Sequence, residues 1–471
     1  MNIAGGFDLL CDHCSLGSLL DSNERYDPPR CAAETREAII QELMEWITSS
    51  DDFASILWLH GSAGVGKSAV AQTLAELCRR EGRLVASFFF SRTATNAERS
   101  DGNRLLPTIV YQLIQAFPDV RASIETYINH DPAIFDKSRS TQMDCLIIKP
   151  LSDTGLQKSR SIRKYMKHLA VKLALGLRRK TARQPQLILI DGLDECQDPD
   201  VQCDLLKVIA EATKNFPLPF RILIASRPEP YLRRVFDHDP SFRSVPVHRL
   251  DLSEDRNVDI DIRRFLVGKF VEIHETHPLR AYLDPFWPSE EAIAILVQKS
   301  SPQFIYVATA IRYIQSPRHR PDERLDVILG ISATPNKDTP FADLDALYKH
   351  ICLSVNESKR DIVWRIFGIL CLSSRDEFSY LNPSISQLEE IFRTQAGGIE
   401  LLLDTLHSLL LISESRSQSI KVLHASLFDY LLDASRSGEL QLHLSLAHEV
   451  LARYHFDIAD YTISQGMAFF S

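Results

Sequence analysis

The chain has 471 residues, 45% of them hydrophobic, and a formal net charge of −9, which is room for about two to four domains with sizeable cores. The acidic balance argues against a protein that coats nucleic acid, and nine scattered cysteines read as the reduced thiols of a cytoplasmic protein rather than a disulfide framework. No window approaches about 18 uninterrupted apolar residues and no basic stretch leads an apolar run at the amino terminus, so neither a membrane span nor a secretory signal is expected.

Residues 1–35 read as a leader. Within them Cys11, His13 and Cys14 lack a second ligand pair at zinc spacing, so no metal is expected there. Ile39, Ile40, Leu43, Trp46 and Ile47 repeat at helical spacing and predict an amphipathic helix from Arg36 to Thr48 lying against a sheet. Next comes the apolar run Ile56 to Leu59, which leads directly into Gly61, Ser62, Ala63, Gly64, Val65, Gly66, Lys67 and Ser68, and a helix-forming stretch, Ala69 to Arg80, follows. Glycines at these positions let successive backbone N–H groups turn inward on an anion, Lys67 is placed for β- and γ-phosphates, and Ser68 offers a hydroxyl to Mg²⁺. The spacing therefore predicts a phosphate loop holding a nucleotide.

Leu84 to Phe90 reads as a strand, Arg104 to Phe117 as a helix, and the stretch near 130–160, rich in Ser, Asp and Lys, as irregular. The basic cluster Arg178, Arg179 and Lys180 reads as a solvated helix end. Leu187 to Ile190 is an unbroken apolar run ending in Asp191, the pattern of a strand buried on both faces with a carboxylate at its C-terminal tip. Asp191 would serve Mg²⁺, and Asp194 or Glu195 would polarise an attacking water. After a helix from Val201 to Asn215, a third strand, Arg221 to Ala225, ends at Ser226 and Arg227, whose guanidinium is expected near the γ-phosphate. Alternating strands and helices imply a parallel α/β sheet.

Beyond Pro230 most segments repeat at three to four residues, so the second half is expected to be mainly helical. Helices are predicted for Val258 to Ile273, for Glu290 to Gln298 and from Phe304 onward, and the proline-studded stretch from Ser316 to Pro340 reads as a linker. A small bundle follows, with Leu344 to Tyr348, a helix from Ile362 to Leu372 and another from Leu401 to Leu411, while Ile420 to His424 suits a strand of a winged helix.

Pro28-Pro29-Arg30-Cys31 with Thr35-Arg36, the phosphate loop, Asp191 to Glu195, Ser226-Arg227-Pro228, Phe304 to Ala308 and Leu344 to Tyr348 together resemble the NACHT-type signal-transduction NTPases, in the fungal NLR-like (STAND) group. The chain departs from that pattern at Ser300-Ser301-Pro302-Gln303, where relatives carry a Gly-rich turn. The resemblance implies an α/β P-loop NTPase domain over 36–235, a helical domain over 236–330, a winged-helix-like domain over 331–435 and the start of a further helical segment over 436–471. It also implies that His424, in the segment His424 to Leu431, contacts the β-phosphate of bound ADP and locks the protein closed. About 60 residues precede the phosphate loop and about 40 follow the winged-helix segment, too few for an effector domain or a repeat sensor, so separate effector or sensor proteins are the expected partners.

The function these readings imply is an ATP/ADP switch, with GTP as the alternative nucleotide and Mg²⁺ as the metal. Slow hydrolysis would reset an open state that forms homo-oligomers. Phosphate-binding positions are Gly61, Ser62, Ala63, Gly64, Val65, Gly66, Lys67, Ser68 and Ala69, with Ser68 and Asp191 for the metal, Asp191, Asp194, Glu195 and Arg227 for chemistry, and His424 for nucleotide state. No nucleic-acid or membrane partner is expected. The competing readings are a nucleotide-binding scaffold without turnover and a P-loop small-molecule kinase.

Overall fold

A computed structural model describes residues 5–49, 54–92, 97–153, 185–255, 257–300, 302–330, 341–373, 383–412, 417 and 419–468. The cluster Arg178, Arg179 and Lys180 and the stretch 331–340 lie outside the described residues.

Five parallel strands form the first half's sheet: β1 (Ile56–His60), β2 (Leu84–Phe89), β3 (Gln186–Asp191), β4 (Phe220–Ser226) and β5 (Val247–Asp251), in the order β2-β3-β4-β1-β5. Strand side chains alternate between two apolar layers. Ile56, Trp58, Ile188, Ile190, Ile222 and Ile224 pack on one face with helices Leu105–Ala116, Pro199–Thr213 and Pro230–His238. Leu57, Leu59, Leu187, Leu189 and Leu223 pack on the other with helices Glu37–Thr48 and Lys67–Arg80. Burial on both faces explains why the strands read as continuous apolar runs.

The helix after β1 and the helix after β4 thus lie on opposite faces, and the crevice between these neighbouring strands is where such sheets bind ligands. The register pairs Phe89 with Asp191, Asp191 with Ala225, Leu59 with Ala225 and Leu59 with Leu250. Every site loop therefore leaves from one edge of the sheet.

Four expectations need correction. Strand β5 was not anticipated, because Val247, His248, Arg249, Leu250 and Asp251 form a half-exposed edge strand with no apolar run. The stretch near 130–160 is helical as far as Asp153, with Ile134, Phe135, Leu146, Ile147 and Leu151 buried beneath the polar residues that made it look irregular. Within 316–340, Pro321–Gly330 is a helix that starts on its proline and buries Leu325 and Ile328. The helix expected over Leu401 to Leu411 runs only from Gly398 to Leu403, and Leu410 and Leu411 instead form β6.

Residues 5–35 are part of the packed structure rather than a free leader. Helix Gly6–Asp12 sends Leu10 into the first half's core, fully buried. His13 stacks on Phe135, and the Cys14 thiol donates to the Leu10 carbonyl.

The second half is built around one apolar cluster running from Val258 to Leu451. Helices Val258–Thr276, Glu290–Ser300, Phe304–Ile314 and Pro321–Gly330 form a helical part. Helices Glu357–Ser373, Ile385–Phe392 and Gly398–Leu403 then lead to an antiparallel hairpin of β6 and β7 (Lys421–Val422), with a further bridge between Ser384 and Ser419. Three helices followed by this hairpin make a winged-helix-like unit, closed by helix Ser426–Leu432. No helix among the described residues is long and apolar enough to cross a membrane.

If residues 5–35 belong to the core, Leu10→Ala should destabilise the first half by about 2–5 kcal/mol, the usual cost of emptying a fully buried leucine site. Chemical denaturation measures it, and an unchanged midpoint would return the segment to a dispensable leader.

Candidate functional site

The phosphate loop connects β1 to helix Lys67–Arg80, with Gly61, Gly64 and Gly66 at φ of 149°, 80° and 96°. A Cβ on Gly64 would also lie 2.2 Å from the Ile305 side chain, so that position needs glycine on two counts. Neighbouring elements hold the loop's shape. Ser62 N–H donates to Ser253 Oγ (3.1 Å), the Val65 carbonyl accepts from Arg36 Nη2 (2.9 Å), and the Gly64 carbonyl accepts from Ile305 N–H (3.1 Å). Lys67 Nζ donates to the Gly61 and Ser62 carbonyls (2.8 and 3.0 Å), which keeps the ammonium over the loop. Burial, opposed by Asp194, lowers its pKa.

At the tip of β3, Asp191 is 3% exposed, and its Oδ1 is buried with no hydrogen-bond partner among the described residues. Burial pushes this carboxyl up to about 6, against the hydrogen bond from Ser68. An orphaned carboxylate oxygen beside a hydroxyl at a helix start has the donor chemistry a hard divalent cation needs. Gly192 turns the chain at φ 71° into the short turn Leu193–Glu195. Asp194, 2% exposed, accepts the Arg227 N–H on Oδ1 (2.9 Å) and lies 3.2 Å from Arg227 Nε through Oδ2. Both of its oxygens are therefore committed. Glu195 takes the Arg92 N–H on Oε2 (3.1 Å), and burial followed by the Asp194 charge raises it to about 7. Asp194 is held by Arg227, whereas Glu195 has a pKa suited to a base near neutrality.

Arg227 does more than face the loop. Its Nη1 is 2.7 Å from Asp429 Oδ2 on helix Ser426–Leu432, so one guanidinium joins the sheet to the winged-helix part. Burial works against its charge, but Asp429 and then Asp194 overcome this and raise its pKa. His424 lines the cavity that these groups surround. Its Nδ1 accepts the Ser426 N–H (3.1 Å) and lies 2.7 Å from Ser426 Oγ, which in turn is 2.8 Å from Tyr348 Oη. An acceptor at Nδ1 leaves the neutral ring's proton on Nε2. Burial and then Arg227 push the imidazole down to about 4, so the neutral ring is the resident form.

These groups surround one cavity of about 450 Å³, bounded by residues 24–36, the phosphate loop, the β3 and β4 tips, helix Phe304–Ile314 and the β7 segment. The structure thus brings together Ala63, Gly64, Gly66, Lys67, Ser68, Ala69, Asp191, Asp194, Glu195, Arg227 and His424, while Gly61, Ser62 and Val65 shape the loop without lining the cavity. It also brings in residues the sequence reading gave no role. Arg99, on the segment after β2, and Arg25, in the amino-terminal segment, line the cavity, and Asp429 acts on it through Arg227. Arg25 lies 3.4 Å over the Phe89 ring and donates to Gln72 Oε1 (2.6 Å) and the Leu20 carbonyl (3.2 Å). Lys421 on β7 donates to the Glu24 carbonyl (2.7 Å), a polar tie between the winged-helix part and the first half in addition to Arg227–Asp429.

Residues 34–160 and 149–227 match the family model described as Nephrocystin 3, N-terminal. No curated protein sequence matches the chain. Among solved structures, a Walker-type ATPase of Pyrococcus abyssi is 14% identical, with 85% of this chain and 97% of that one covered at a TM-score of 0.39. The Aeropyrum pernix ORC1 protein in complex with DNA is 14% identical over 91% and 94% at 0.37. Replication initiator DnaA bound to AMPPCP and single-stranded DNA is 12% identical over 79% and 92% at 0.30. The fold assignment rests on the chain's own geometry: a parallel sheet whose strand β1 runs into a glycine-bearing phosphate loop, followed by helical and winged-helix-like parts.

A carboxyl whose folded pKa is raised binds more protons folded than unfolded, so stability falls as pH rises between the two values. For Glu195 that window runs from its ordinary 4.5 to about 7, whereas His424, depressed to about 4, acts with the opposite sign between 4 and 6.5. Glu195→Gln should therefore stabilise the chain at pH 8 relative to the parent, and the gain should vanish near pH 4. Melting curves across that range test this, and a pH-independent difference would contradict a strained carboxylate.

Proposed function

We propose that the chain is a nucleotide-dependent switch of the NACHT type. ATP or ADP is the ligand, with GTP as the alternative, and Mg²⁺ is held by Ser68 and Asp191. In this reading residues 36–235 form the NTPase domain, 236–330 the helical domain, 331–435 the winged-helix-like domain, and 436–471 a further helical segment. The single observation that supports it is the shared guanidinium. Arg227 is paired with Asp194 beside the phosphate loop and with Asp429 on the winged-helix part, so a group sensitive to phosphate charge also holds the two halves together.

The loop amides and Lys67 bind the phosphates, and His424 donates from Nε2 to the β-phosphate of a diphosphate. A bound Mg²⁺ supplies charge neutralisation on the phosphate oxygens. Asp194 positions Arg227, while Glu195 takes the proton from water. In this reading turnover is slow and resets the switch. The acid with a pKa near 7 favours turnover over a pure scaffold.

A triphosphate adds negative charge beside Arg227 and competes with Asp429 for it. The ties across the cavity are polar, Arg227 to Asp429 and Lys421 to Glu24, so they separate at lower cost than an apolar interface. Opening then exposes surface for homo-oligomerisation and for separate effector or sensor proteins. The protein is placed in the cytoplasm, with no nucleic-acid or membrane partner.

Lys67→Ala should abolish nucleotide binding, because the phosphates lose their mobile cation. Asp429→Asn should keep binding but release ADP about 5- to 30-fold faster, corresponding to roughly 1–2 kcal/mol of contact made only in the closed state. The variant should also elute as larger species. Stopped-flow release of labelled ADP and size-exclusion chromatography decide this, and a parental off-rate in Asp429→Asn would remove the latch from the account.

A further inference from the structure

The switch reading gives no role to Arg99. This residue closes the turn Ala97–Arg99 on the segment leaving β2, and its carbonyl accepts the Ser91 N–H (3.0 Å), which fixes the turn against the strand's end. Its side chain lines the cavity already described. Nη2 reaches the Phe89 carbonyl only at 3.4 Å, near the limit of a hydrogen bond. Nε is buried and has no hydrogen-bond partner among the described residues.

Among the described residues most other arginines around the cavity are committed, the exception being Arg312 on helix Phe304–Ile314, on the side of the cavity formed by the second half of the chain. Arg227 is held by two carboxylates, Arg36 by Asp255 and the Val65 carbonyl, and Arg25 by Gln72 and the Leu20 carbonyl. Arg99 instead has Glu24, Glu195 and Asp191 within electrostatic reach and pairs with none of them at ion-pair distance among the described residues. A buried guanidinium with an open donor is costly unless an anion completes it. The sheet order puts β2 and β4 on either side of β3. Arg99 and Arg227 therefore come from the segments that follow the two strands flanking β3, and Arg99 has the β3-tip acids Asp191 and Glu195 within electrostatic reach.

We propose that Arg99 is a binding residue for the terminal phosphate of a nucleoside triphosphate, so that it separates triphosphate from diphosphate in this site. The proposal rests on the phosphate-loop reading above. It adds Arg99 as a direct ligand of the third phosphate, beside Arg227, which the same charge draws away from Asp429. Arginine suits the task because its planar fork contacts two phosphate oxygens at once.

The test is calorimetry of Arg99→Gln with ADP and with a non-hydrolysable ATP analogue, each with Mg²⁺. The variant should bind the analogue about 10- to 100-fold more weakly, the range for one charge-assisted contact, and bind ADP within about twofold of the parent. Equal loss for both nucleotides, or no loss for either, overturns the proposal. A parent chain that binds neither nucleotide overturns the phosphate-loop reading itself, a result distinguishable from the first two. If Arg99→Gln does not fold, Arg99→Lys decides: it keeps the charge without the fork and should still lower the ratio of analogue to ADP affinity several-fold, and an unchanged ratio refutes the role.

Discussion

Three carboxylates packed at the end of one buried strand are the constraint on which the rest of the structure depends. Asp191 and Asp194 are almost fully buried, and Glu195 adjoins them. Charges so placed repel one another and lose hydration, which is why Asp191 and Glu195 titrate well above ordinary carboxylates. Such a cluster persists only if cations surround it. Lys67 comes from the phosphate loop, Arg227 from β4 and Arg99 from the segment after β2, so the acid strand organises the loops on both of its neighbours.

The same constraint reaches the second half of the chain. Arg227 satisfies Asp194 with its backbone N–H and Nε, and its outer nitrogen turns to Asp429. Asp429 sits on a helix whose first residue, Ser426, also orients His424. One short segment thus carries both the imidazole that lines the cavity and the carboxylate that holds Arg227. The apolar cluster of the second half is continuous, whereas the ties across the cavity are ion pairs and hydrogen bonds. Separation at the polar face leaves the cores on both sides intact, which is a physical requirement for a reversible switch.

Much of this was legible in the sequence, for identifiable reasons. Strands β1, β3 and β4 are buried on both faces and read as plain apolar runs, and the phosphate loop has a spacing imposed by its own backbone. Strand β5 was invisible because its residues are half exposed at a sheet edge. The segment before Arg36 read as a leader because its helix and turns are short, although Leu10 and Leu20 are buried. Asp194 and Glu195 could not be separated by position. Only the bonds from Arg227 to Asp194 distinguish them, and those join residues 33 apart. Arg99 and Asp429 are likewise defined by contacts between distant segments, which no local pattern encodes.

The central claim is that nucleotide state sets whether the winged-helix part stays on the NTPase face. Single-molecule energy transfer between dyes at Glu211 and Ala434, both exposed, reads this directly. The account predicts one short-distance population with ADP and a shift to longer distances with a non-hydrolysable triphosphate and Mg²⁺. The same distance in both states, with both nucleotides shown to be bound, would contradict it.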